Sequence, residues 1–190
     1  MKNIICIMGK SSTGKSTLIN NLVKKDKKFY GVKSFTTRKP RANDLINDLK
    51  THSFVTLEKY NRDKNEDKII ALYHNIEKNY YNWTTEESFL DNKINLYAID
   101  PKAYISFVEK YKKEYNIFGF YLNLNEKERI KRKIKRDGIN DVIDLEHHLS
   151  LNILKENKEI KDLFLTLDIN NLSEEEIINN VLNILGGNFE

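Results

Sequence analysis

Residues Gly9-Lys10-Ser11-Ser12-Thr13-Gly14-Lys15-Ser16-Thr17 satisfy Gly-x-x-x-x-Gly-Lys-Ser/Thr without a gap. Few folds accept such a segment, because it has to close a strand and open a helix. Both contexts are present. Asn3 to Met8 is an apolar run of buried-strand type, and Leu18, Ile19, Leu22 and Val23 recur at helical spacing. Gly9 and Gly14 permit backbone turns that a Cβ would block, so successive N–H groups from Lys10 to Thr13 can face an anion. Lys15 can reach the β- and γ-phosphates, the Ser16 hydroxyl can ligate Mg²⁺, and the helix through Thr17 aims its positive end at the phosphate. The competing reading, a chance glycine turn before a helix, explains neither the lysine nor the hydroxyl. The segment predicts a nucleoside triphosphate site.

Beyond the loop, strands and helices alternate. Gly31–Thr36, Ser53–Val55, Lys68–Tyr73, Tyr80–Trp83, Asn95–Ile99, Ile117–Leu124 and Phe164–Ile169 read as extended segments. Pro101 suits the first turn of a helix, Asn125 can cap another, and Ser173 with Glu176 forms a capping box. This alternation predicts an α/β fold with a parallel sheet flanked by helices and ligands at the carboxyl ends of its strands. At 190 residues, the chain reads as one domain.

Composition excludes classes rather than choosing one. Charged residues make up 32% and the formal charge is +4, which suits a soluble protein and a small polyanion without requiring nucleic acid. The N-terminal apolar run stops at Gly9, too early for a signal peptide, and no later stretch is long enough to span a bilayer. Cys6, the sole cysteine, reads as a small buried hydrophobe. The expectation is a cytoplasmic protein, monomer or homodimer, whose partners are small nucleotides and neither nucleic acid nor membrane.

A second cluster, Ser34-Phe35-Thr36-Thr37-Arg38-Lys39-Pro40-Arg41, follows one helix later. Pro40 disfavours helix at Lys39, so Arg38 and Arg41 are presented from a turn. Two guanidinium forks beside hydroxyls make a receptor for a phosphate monoester. Alone the cluster would read as a solvated basic turn; after an intact phosphate loop it reads as a second anion site.

Together, Gly9–Thr17 and Ser34-x-Thr-Thr-Arg38-x-Pro-Arg41 make the chain resemble the guanylate kinases, P-loop enzymes that move a γ-phosphoryl group from ATP to GMP. The resemblance implies a core (1–33, 85–124, 156–190), a monophosphate-binding insertion (34–84) and a lid (125–155). It implies that Lys15 stabilises the transferring group with Mg²⁺ and that Ser34, Arg38, Arg41 and Tyr81 hold the acceptor's phosphate. Asp100 would be the second acid of an Asp-x-Asp pair, and Arg132 and Arg136 would be lid arginines that close over the phosphates.

Departures from the family concentrate on the base. His52 stands where a phosphate-binding tyrosine is expected, and Ala98 replaces the first acid of the pair. The guanine-reading glutamate falls at Leu72, with Glu77 five residues late, and its Ser/Thr partner falls at Trp83, one before Thr84. His147 or His148 lies where a further lid arginine is expected; adjacent histidines on a helix diverge by about 100° and suit a single metal poorly. Phosphate chemistry is retained and base recognition is not.

Arg132 and Arg136, four apart, are expected to share a helical face toward one polyanion, while the neighbouring lysines read as a solvated face. Tyr80, Tyr81 and Trp83 read either as strand packing or as a platform for a base. The expected reaction is phosphoryl transfer from MgATP to a nucleoside monophosphate, most simply GMP or dGMP. Alternatives are a same-fold kinase for another nucleotide or a ribosyl phosphate, and a phosphopeptide-binding module, which would have no use for Lys15 and Ser16. A nucleic-acid-linked P-loop ATPase lacks a convincing apolar strand ending in Asp-Glu.

Overall fold

The computed structural model describes residues 1–40, 51–138 and 150–186. Its central sheet has five parallel strands in the order β2-β7-β1-β8-β9. These are β1 (Lys2–Met8), β2 (Phe29–Gly31), β7 (Ile94–Ala98), β8 (Tyr115–Asn123) and β9 (Phe164–Asp168). Strand β1 lies in the middle, and Ile4 to Met8 have no exposed surface. A continuous apolar run is what a strand covered on both faces requires.

The two-residue period of β1 divides the core. Ile4, Cys6 and Met8 join Ala103, Tyr104, Phe107 and Val108 of helix α3 (Pro101–Tyr111). Ile5 and Ile7 point the other way. There they join Leu18, Ile19 and Leu22 of α1 (Lys15–Lys25) and Val181 and Leu185 of α6 (Glu174–Gly186). Cys6 is therefore a core residue, and burial pushes its thiol pKa well up. The caps form as the residue types dictate. Asp100 accepts from the Lys102 N–H at 2.9 Å, Asn125 from that of Glu128 at 2.9 Å, and Glu176 from that of Ser173 at 2.7 Å.

Parallel pairing throughout holds only for this sheet among the described residues. A second sheet, in the order β4-β3-β6-β5, contains β3 (Ser34–Thr36), β4 (His52–Phe54), β5 (Ile69–Asn75) and β6 (Tyr80–Thr85). Here β5 and β6 form an antiparallel hairpin, because only a short turn joins them. Ala71 enters the main core and the Thr84 hydroxyl donates to the Tyr97 phenol at 3.2 Å, so this sheet leans on the first. Helix α2 (Leu57–Asn65) covers its other face through Tyr60 and Asp63. Helix α4 (Glu126–Asp137) follows β8, and the short α5 (Ser150–Glu156) precedes β9. Among the described residues no helix is long and apolar enough to cross a membrane.

Candidate active site

The carboxyl ends of the parallel strands carry the phosphate loop after β1, Asp100 after β7, α4 after β8 and the turn at Asn170–Ser173 after β9. Gly9 has φ 142°, and a Cβ there would lie 2.9 Å from the Leu122 carbonyl oxygen and from Thr13 Oγ1. Gly14, at φ 96°, caps α1, and Ser12 adopts a left-handed φ of 68°. Two of the loop's carbonyls are occupied from within the loop and its helix. Lys15 Nζ donates to Gly9 O at 2.7 Å and to Lys10 O at 3.0 Å, and the Thr13 hydroxyl donates to Lys10 O at 2.9 Å. Ser12 Oγ is buried without a hydrogen-bond partner. An orphaned hydroxyl inside a glycine-shaped cradle of N–H groups fits a phosphate group, and Ser16 and Thr17 stand exposed at the start of α1.

Helix α4 meets this loop through Glu126 and Arg129, which belong to no recognised motif, as well as through Arg136. Arg129, 3% exposed, grips both carboxylate oxygens of Glu126 and donates to Ser11 O at 3.3 Å. Glu126 also accepts from Lys10 Nζ at 3.0 Å. The Arg129 bonds first, then Lys10, hold its carboxyl at about 2. Arg136 donates to Ser11 Oγ at 2.9 Å, so that arginine does reach the loop. Arg132 does not share its place. It pairs with Glu128 at 3.2 Å, and its side chain is 42% exposed. Helical geometry gives the reason: Arg129 and Arg136 are about 20° apart around the axis, whereas Arg132 is offset from Arg129 by about 60°. Arg132 instead lines a cleft of about 500 Å³ with Lys127, Lys131, Asn171 and Ser173. The spacing 126, 129, 133, 136 was the available signal, since Lys133 is buried as well.

On the second sheet, Ser34 and His52 are register partners, and Ser34 Oγ lies 2.9 Å from His52 Nδ1. Arg38 sits over the Phe54 ring at 5.3 Å, two residues along from His52, and its backbone N–H donates to Thr36 Oγ1 at 3.1 Å. Ser34 and His52 open β3 and β4, and Arg38 approaches the same strands from their other end, over Phe54, whose ring lies 6.4 Å from that of His52. Tyr81 does not join them. Phe35 and Trp83 are register partners with rings 5.5 Å apart, so by strand alternation Tyr81 shares their face and Ser34 the opposite one. The Tyr81 ring is stacked between Tyr60, at 4.0 Å, and His74, at 4.2 Å.

Trp83 is fully buried and donates its indole N–H to Asp63 at 2.9 Å, so it offers no face to a base. Of the two readings of Trp83, strand packing therefore holds and the stacking platform does not, since α2 already covers it. Thr84 is bonded to Tyr97, Glu77 lies exposed in the β5–β6 turn, and Leu72 is 40% exposed. Asp100 caps α3 beside the phosphate loop, since Ile99 N–H donates to Ile7 O at 3.1 Å. Arg41, His147 and His148 lie outside the described residues.

Residues 4–183 match the family model described as 50S ribosome-binding GTPase. Guanylate kinases from strains of Helicobacter pylori are 28% identical over 160 residues, covering 81% of this chain and 73% of theirs. The crystal structure of guanylate kinase from Anaplasma phagocytophilum superposes with a TM-score of 0.66 at 18% identity, covering 98% of this chain and 85% of that one. A gluconokinase from Sinorhizobium meliloti shares the fold at a TM-score of 0.50 and 12% identity, over 98% of this chain and 93% of that one.

Proposed function

The chain belongs to the P-loop family described as 50S ribosome-binding GTPase and is guanylate kinase-like, and from that premise we propose that it transfers the γ-phosphoryl group of ATP to a nucleoside monophosphate, with GMP or dGMP as acceptor. The family description names a protein that hydrolyses its triphosphate, whereas the curated relatives are named as kinases. The observation that carries the kinase reading is the Ser34–His52 pair, 2.9 Å apart on a second sheet whose Phe54 lies under Arg38, which we read as a second anion receptor. Hydrolysis uses water and needs no such receptor. A phosphopeptide module would need the receptor but not Lys15 and Ser16.

Phosphoryl transfer asks the protein to align two polyanions, offset their repulsion and exclude water. The N–H groups of Lys10–Thr17 and the Lys15 ammonium would hold the donor's β- and γ-phosphates. Ser34, Arg38 and Arg41 would hold the acceptor's phosphate, with His52 donating from the position of the family tyrosine. Tyr81 and Asp100 complete the proposed acceptor set, and for Tyr81 that role requires the phenol to reach past the sheet edge. The residues at the loop fit magnesium: the Ser16 hydroxyl would ligate it, and the bound ion would neutralise charge on the phosphate oxygens. Arg136 stands over the loop, and Arg132, on the cleft wall with Lys127 and Lys131, is suited to the donor's ribose and base. We place the monophosphate-binding insertion at 34–84 and the lid at 125–155.

A second reading, a same-fold kinase for another nucleotide or a ribosyl phosphate, is favoured by Leu72 and the buried Trp83, which provide no carboxylate for guanine. A carboxylate reader rejects the wrong base steeply, because a buried group is left unpaired. The deciding experiment is coupled ADP release from ATP with GMP, dGMP, AMP, CMP, dTMP and ribose 5-phosphate, alongside acceptor-free ATP and GTP. Guanine acceptors leading in kcat/KM support the proposal. Ribose 5-phosphate or a pyrimidine leading supports the second reading, and rapid acceptor-free GTP turnover would refute a kinase.

A further inference from the structure

Three consecutive carbonyls of the phosphate loop are tied down in the structure, and the third is held differently from the others. Gly9 O and Lys10 O are bonded from within the loop and its helix, by Lys15 at 2.7 and 3.0 Å and by the Thr13 hydroxyl at 2.9 Å. Ser11 O is bonded by Arg129, from a helix 118 residues away in sequence, at 3.3 Å. A trans peptide is planar, with its carbonyl and the following N–H pointing in opposite directions. Pulling Ser11 O toward α4 therefore turns the Ser12 N–H away from α4. The left-handed φ of 68° at Ser12 belongs to such an alternating turn, in which successive N–H groups converge on an anion.

We propose that Arg129 is a positioning residue for the triphosphate: it aims the Ser11–Ser12 peptide so that the loop presents its N–H groups to phosphate, and Glu126 keeps it there. This rests on the phosphoryl-transfer reading of the site and assigns a role to a residue outside the motifs that define that site. Arg129 is 3% exposed, and an unpaired buried guanidinium would be costly. Glu126 removes that cost by accepting from Arg129 Nε and Nη2, and it binds Lys10 as well. The trio Lys10–Glu126–Arg129 thus joins the loop and α4, and Arg136 adds a further bond to Ser11 Oγ at 2.9 Å. A planar fork is needed: Arg129 bonds Glu126 through two nitrogens while a third reaches Ser11 O, and a lysine ammonium cannot span both.

The test is direct titration of the full chain with a fluorescent ATP analogue, together with ATP and acceptor KM values and thermal unfolding. Arg129→Ala is expected to weaken analogue binding about tenfold or more, the scale of a lost charge-assisted hydrogen bond, with acceptor KM unchanged. Arg129→Lys retains a cation opposite Glu126 and is expected to stay folded with the same binding loss. Should Arg129→Ala fail to fold, Arg129→Lys and Glu126→Gln carry the test, the latter expected to weaken binding in the same direction. Folded Arg129→Lys and Glu126→Gln proteins that bind the analogue within twofold of the parent would overturn the proposal and leave Arg129 a purely structural residue. A parent protein that binds ATP but phosphorylates no monophosphate would remove the kinase reading, while the titration still decides the role of Arg129.

Discussion

Asp63 accepts the Trp83 indole N–H at 2.9 Å while Lys59 donates to the same carboxylate at 2.7 and 2.9 Å. The pair ties α2 to β6 and buries the indole in the second sheet. Trp83 is wedged between Phe35 and Tyr60, so its burial and its hydrogen bond are satisfied together. Asp63→Ala removes the acceptor and is expected to destabilise the protein by about 1–3 kcal/mol. Asp63→Asn retains an oxygen for the indole and is expected to cost less. Thermal unfolding of the two variants checks the ranking; equal melting temperatures for both and the parent would contradict it.

The same carboxylate carries an acid dependence. Burial pushes the Asp63 pKa up, but the hydrogen bonds from Lys59 and Trp83 outweigh it and leave the group below its usual 3.8. A depressed folded pKa adds stability above the unfolded value, and that stability is lost as pH falls through the folded one. The Glu126 carboxyl, held at about 2 against an ordinary 4.5, follows the same sign in a wider window. The stability advantage of the parent over Glu126→Gln is expected to be complete above pH 4.5 and to shrink steadily toward pH 2. Unfolding curves of the pair across that range measure it; an advantage that grows with acid would exclude this linkage.

Lys15→Ala is expected to abolish turnover and leave the fold intact. Its ammonium bonds loop carbonyls and fills no part of either apolar cluster. A folded Lys15→Ala protein turning over at the parent rate would remove this loop from the chemistry and with it the kinase assignment built on it.

Arg38→Ala and His52→Ala should act on the acceptor rather than the donor, because His52 meets Ser34 on the second sheet and Arg38, just past β3, lies over Phe54 of β4. A lost charge-assisted bond at Arg38 is worth about 1.5–3 kcal/mol, or tenfold and more in acceptor kcat/KM. Steady-state kinetics with each nucleotide varied in turn separate the effects. Selective loss of ATP affinity would mean that the acceptor site lies elsewhere.

Leu72→Glu places a carboxylate on the partly exposed flank of β5. It is expected to raise the ratio of GMP to AMP turnover, since a carboxylate accepts from both the N1–H and the exocyclic amine of guanine, whereas adenine offers one donor beside an N1 lone pair that repels it. The ratio of kcat/KM values measures this. An unchanged ratio would show that the β5 flank does not meet the base, and Thr84 offers no substitute while bonded to Tyr97.

By itself, the sequence determined the parts whose physics is local. An apolar run, two glycines, a lysine and a hydroxyl specify the strand, phosphate loop and helix, and Asp100-Pro101, Asn125 and Ser173 with Glu176 specify where helices begin. These signals survive because their partners lie within a few residues. Tertiary structure decided everything that depended on which face of an element met which neighbour. Arg132 and Arg136 both fit a phosphate-facing pattern by spacing, yet docking of α4 on the loop put Arg129 and Arg136 against Ser11 and left Arg132 with Glu128. Trp83 could have faced a base or a core, and packing against Tyr60 and Asp63 chose the core. Periodicity gives the angle between residues on one element, but the rotation of that element against its neighbour is set by contacts 20 to 125 residues away along the chain.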